Sequence, residues 1–186
     1  MKKLMIAVMA TACAVAVNAA SFDWSTSTTG KVFLPGSTTT YLASGTAYIF
    51  DSAAYTQQAV LTAFAETGVD FSKSLGNKAV SDGKISATKG EAFTWGSAGD
   101  TLNAYVAIVN GDNIFISDIV SGDASDVGYT SLSFKLKDQS QAALSTSTSF
   151  SAGGWYTAAA APVPEPTSGL LMLLGMAGLA LRRRRA

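Results

Sequence analysis

Between residues 104 and 117 the chain reads AYVAIVNGDNIFIS, two runs of β-branched and aromatic residues separated by Asn110-Gly111-Asp112-Asn113. Such side chains fit a pleated surface, and an Asn-Gly step between two such runs signals a tight hairpin. Neither run alternates apolar with polar residues, which predicts a hairpin covered on both faces, as at the centre of a sheet. Further strand candidates are KVFLP (31–35), AYIFD (47–51), GKISATKG (83–90), AFTW (92–95) and TSLSFKLKD (130–138), with a turn expected at Ser81-Asp82-Gly83. The Ser/Thr-rich stretches at 25–30, 37–40 and 145–151 read as loops or strands. One segment follows a different period. In DSAAYTQQAVLTAFAETG (51–68), Tyr55, Ala59, Val60, Ala63 and Phe64 share one helical face, Asp51 or Ser52 offers a cap, and Gly68 a stop. The pattern predicts a mainly β fold: a single β-rich, sandwich-like domain over residues 20–157 with one packed α-helix.

The two ends break this pattern. Lys2 and Lys3 precede an apolar run from Leu4 to Val17, which is followed by small residues. That is the layout of a secretory signal peptide, 1–19, with signal peptidase expected to cut after Ala19, or after the neighbouring Ala20. The alternatives are a retained anchor or acylation at Cys13, where Ala10 fits a lipoprotein signal poorly. At the other end, AAAAPVP (158–164) reads as a linker, and Thr167 to Leu181 is a run of fifteen residues without a charge. As a helix this run rises about 22 Å, short against a hydrocarbon core of about 30 Å. Arg182, Arg183, Arg184 and Arg185 follow it and stop transfer, staying cytoplasmic with the body outside. This predicts a transmembrane helix at 167–181 that holds the exported chain at the inner membrane.

Charge and composition narrow the chemistry. The net charge is zero over 186 residues, but between Ala20 and Val163 seven lysines face twelve acids, leaving −5. An acidic body does not seek nucleic acid. The chain has no histidine, and its single cysteine is Cys13. Ser-His-Asp and Cys-His catalysis and the usual zinc sites are therefore excluded from a mature body, and no cofactor is implied. Ser81-Asp82-Gly83-Lys84 matches a Ser-x-x-Lys element only formally, without its companion motifs. The loops GDASDVG (122–128) and NGDN (110–113) could hold calcium but lack an EF-hand pattern. Paired acids for glycoside hydrolysis are not marked by their surroundings.

Pro164-Glu165-Pro166, the short apolar helix and the terminal arginines, in that order at the chain's end, resemble the PEP-CTERM sorting signal. The resemblance covers residues 164–186. It implies a Gram-negative origin and recognition of Pro164, Glu165 and Pro166 by exosortase, a membrane-embedded transpeptidase-like enzyme. It also implies a setting of exopolysaccharide production, with exopolysaccharide as a candidate partner. Physically, the prolines keep the segment extended and Glu165 offers one charge just outside the membrane. In that setting Trp95 and Trp155 are candidate platforms for sugar rings, with Trp24, Tyr105 and Tyr156 behind them. The simpler expectation is that these rings fill the core. The reading is an exported cell-surface or extracellular-matrix protein with a non-enzymatic structural or binding body. The alternative is a small exported carbohydrate-active hydrolase or carbohydrate-binding module.

Overall fold

The computed structural model describes residues 19–26, 30–85, 92–136 and 144–158. Two sheets are stacked. The smaller has β1 (Ala19–Thr26) between β5 (Phe93–Ser97) and β9 (Tyr129–Phe134), antiparallel to the first and parallel to the second. The larger runs β10 (Leu144–Ser145), β11 (Gly154–Thr157), β7 (Asn113–Ile116), β6 (Thr101–Asn110), β2 (Ser44–Asp51), β3 (Gly76–Ser81) and β4 (Lys84–Ile85). The strand β8 (Val120–Asp123) continues along β6 on the edge that β7 leaves. Between them Ser117 N–H donates to Val106 O at 2.9 Å, and the Ser117 Oγ, not its carbonyl, accepts the Val106 N–H at 2.9 Å.

The larger sheet is covered on both sides, as the hairpin pattern predicts. On β6, Leu102, Ala104, Val106 and Ile108 face the smaller sheet, where Phe22, Trp24, Phe93, Leu132 and Phe134 complete one buried cluster. Tyr105 and Ala107 point the other way, into a second cluster with Phe50, Ile114, Ile116 and Val60 and Leu61 of the helix α1 (Gln57–Glu66). Each strand has period two, but both of its faces meet apolar partners, so its sequence has no polar face to display. The result is a layered β sandwich with one helix on its outer face.

Several boundaries differ from expectation. Thr56 caps α1, its Oγ1 accepting from Ala59 N at 3.1 Å. Asp51 cannot cap it, because this residue ends β2 opposite Ala104 and its carboxylate accepts from Ala53 N inside the following turn. Gly68 lies just past the helix at φ +86°, as a stop should. The stretch 31–35 is not a strand. It forms a single bridge, Phe33 to Tyr41, and turns at Pro35-Gly36. The stretch 83–90 yields only β4, its remainder lying outside the described residues. The strands β1, β3, β8 and β11 are not anticipated by the sequence patterns above.

The register gives the domain two distinct ends. The β6–β7 hairpin tip, the start of β2 and the β3–β4 turn lie at one. The β5–β6 turn, the end of β8 and the start of β1 lie at the other. The length of β6, Thr101–Asn110, separates them by about 30 Å at roughly 3.3 Å per residue.

The chain crosses from the larger to the smaller sheet after β8, and the crossing is tight. An ideal Cβ on Gly122 would fall 2.5 Å from Leu132 Cδ2 and 3.1 Å from Thr130 Cγ2. Leu132 is itself buried and has nowhere to retreat. Gly122→Ala should therefore destabilise the body by about 1–3 kcal/mol through overpacking. A urea titration checks this; an unchanged midpoint would mean the two sheets can slide apart there.

Candidate functional site: the tail exit and the aromatic residues

The sorting segment of the sequence, with Pro164, Glu165, Pro166, the run 167–181 and Arg182 to Arg185, lies outside the described residues, as does the leader 1–18. No helix among the described residues is long and apolar enough to cross a membrane. The structure does describe where the body hands over to the tail. The last strand, β11, sits inside the larger sheet between β10 and β7, with Thr157 opposite Asn113. One residue on, Ala158 N donates to Asp112 O at 3.0 Å, and Thr157 Oγ1 donates to the same carbonyl at 3.3 Å. Gly111 takes φ +59° at this tip, which fits the Asn-Gly signal in the sequence. The exit to the tail is thus bound to the exposed tip of the β6–β7 hairpin.

The candidate sugar platforms separate. Trp155 is 1% exposed. Its ring meets Phe115 edge-on at 5.6 Å, and its Nε1 donates to Phe33 O at 2.9 Å. An interior strand presents both its faces to the two cores, so Trp155 belongs to one and Tyr156 to the other. The platform expectation for Trp155 is corrected accordingly, and Trp24 and Tyr105 are equally enclosed. Trp95 is half-buried, edge-on to Phe22 at 6.0 Å, with Nε1 donating to Asp51 Oδ2 at 3.3 Å. Two aromatic rings that do reach the surface carry no signal in the sequence that would single them out. Tyr41 is 37% exposed, tilted against Phe33 under the Lys31 ammonium, and Tyr129 is 49% exposed.

The polar candidates resolve into structure. Asp82 and Gly83 both have positive φ, 49° and 71°, and make a tight turn whose carboxylate pairs with Lys31 at 2.7 Å. Ser81 and Lys84 flank that turn as exposed strand residues. Asp123 accepts from Thr101 Oγ1 at 2.7 Å across β6 and β8. Among the described residues no group of three or more acids, histidines or cysteines could hold a metal ion. A cleft of about 360 Å³ lies between Ser117–Val120 and Ser133–Leu136, and one of about 200 Å³ between the end of α1 and Ser147, Thr148 and Thr157. Among the described residues each is lined by a single carboxylate, Asp118 and Glu66 respectively, where glycoside hydrolysis ordinarily uses a facing pair. Asp118 is moreover engaged, accepting from Gly153 N at 2.9 Å.

The one fully enclosed cation among the described residues joins the two sheets. Lys78 of β3 donates to Asp23 Oδ1 and, at 2.7 Å, to Trp24 O. It reaches β1 just past Phe22, the last residue in the described pairing of β1 with β5. Sequence reading offered no sign of this lysine, since one charge in a short strand usually faces water.

Residues 162–185 match the PEP-CTERM protein-sorting motif. The tail therefore carries that motif, which implies processing by exosortase and export toward the cell surface. No curated protein and no solved structure is significantly similar to the chain.

Trp155→Ala should cost about 3–5 kcal/mol, the usual range for emptying a core of an aromatic ring. A stability loss well below that in a denaturant titration would contradict its enclosure. Tyr105 supplies a pH test. Its hydroxyl donates to Tyr55 O at 2.6 Å, and burial, aided by Tyr55 and Asp51, raises its pKa above the ordinary tyrosine value. The unfolded chain ionises this phenol near pH 10. Stability due to the neutral buried form is therefore intact below about pH 10 and is lost as pH rises toward the folded value. The denaturation midpoint should hold through neutral pH and fall above about 10, and Tyr105→Phe should flatten part of that fall. An alkaline limb identical in the variant would assign the loss to other groups.

Proposed function

We propose that this chain is an exported protein that is sorted and cut through its C-terminal signal, and that its β-rich body serves a structural or binding role at the cell surface or in the extracellular matrix. The observation that carries the reading is the motif match at 162–185, directly after a folded body. The division of labour follows from chemistry. The uncharged run 167–181 holds the exported chain in the inner membrane after signal peptidase has removed 1–19. Arg182 to Arg185 prevent further passage, since each charge at the bilayer centre costs about 2.5–3.5 kcal/mol even on the lenient scale. Pro164-Glu165-Pro166 presents an extended, singly charged segment to exosortase just outside the bilayer. The non-enzymatic body is supported by the way its acids are used, in turns, loops and cross-strand hydrogen bonds.

Glu165→Ala should leave the precursor inserted but uncut, so a slightly heavier membrane-bound form accumulates. Neutralising Arg182 to Arg185 should cost the precursor its orientation or let it slip through. Immunoblots of membrane and extracellular fractions, in a host with exosortase and one without, read both outcomes. Wild-type protein that stays full length and membrane-bound where the enzyme is present would leave a plain C-terminal anchor as the reading.

A further inference from the structure

The exit geometry carries a consequence for the cutting step. Ala158 is bound to the hairpin tip, and only residues 159–163 separate it from Pro164. Six virtual bonds of fully extended chain reach about 20 Å, whatever path they take. The body is larger than that reach: its two ends alone stand about 30 Å apart along β6. Any enzyme that engages Pro164-Glu165-Pro166 at the membrane surface must therefore work beside the folded body and on one side of it.

We infer that the end of the domain bearing the β6–β7 hairpin tip, centred on Gly111 and Asp112, is the surface that faces the processing enzyme, and that the clearance from this tip to Pro164 limits cutting. The inference rests on the sorting reading above and adds to it the face of the body that the enzyme meets. Gly111 and Asp112 are exposed, and the tip contributes polar groups only: two asparagines, a glycine and an aspartate. The neighbouring β3–β4 turn adds Asp82 paired with Lys31. The tip itself is therefore hydrophilic and suited to an aqueous approach above the bilayer, while Tyr41 and Leu34 are exposed beside the β3–β4 turn. The opposite end, with the loop around Val127 at 80% exposure, points away from the tail and is unconstrained by it.

The test uses the full-length precursor in the exosortase-containing host. A compact domain of about 100 residues, radius of gyration about 13 Å, is inserted between Gly111 and Asp112 in one variant and between Asp126 and Val127 in another. Its diameter exceeds the available reach, so the tip insertion should abolish the processed form, while the distal insertion should be processed like wild type. Adding about twenty Gly/Ser residues after Ala161, which extends the reach by about 25 Å r.m.s., should restore processing of the tip variant. A third variant needs no insertion and keeps the body intact: deleting Ala159 to Ala161 shortens the reach to about 10 Å. It should lose processing with an unchanged melting curve. Equal processing of both insertion variants, failure of the longer linker to rescue, or normal cutting of the deletion variant would each overturn the inference. Absence of cutting in the wild-type chain would instead remove the sorting reading on which it rests.

Discussion

The structure depends on one strand being buried on both sides. From Ala104 to Ile108 every residue of β6 is enclosed, alternately by the smaller sheet and by the helix layer. A chain of this size without a disulfide has to obtain its stability from such burial, because surface pairs and hydrogen bonds contribute little net. Placing β6 centrally commits its neighbours. The strands β2, β7 and β8 must pair with its edges, β1, β5 and β9 must cover one face, and α1 the other. The charged Lys78 is then tolerable between the sheets because Asp23 and the Trp24 carbonyl accept its hydrogen bonds.

What could be read from the sequence follows from how locally each element is specified. The β6–β7 hairpin was legible since Asn110-Gly111 is a turn chemistry and its flanks are β-branched. The helix was legible because its period differs from everything around it. Its cap was misplaced because Asp51 and Ser52 have the right chemistry but the preceding strand claims Asp51. The strands β1 and β8 were not legible. Ala19–Thr26 begins in what reads as a cleavage site, and Val120–Asp123 is half loop by composition. Their pairing is decided by partners far along the chain, which propensity does not register.

The candidate site divides in the same way. The tail is specified by order and spacing within a few residues, so its motif could be recognised without any fold. The aromatic residues could not be sorted into core and surface, because Trp95 and Trp155 lie in similar small polar surroundings in the sequence. Only the position of β11 as an interior strand, against β5 as an edge strand, separates an enclosed ring from a half-buried one.

The placement of β11 also sets how the body bears load. A pull applied at Ala158 along the direction of β11, which runs from Gly154 toward the exit, loads this strand lengthwise. Its ladders to β7 and β10 would then be strained side by side, in shear, instead of being peeled open one hydrogen bond after another. Trp155 and Tyr156, projecting into opposite cores, act as bolts against sliding. Under such a load the described body does not unravel from that end one residue at a time.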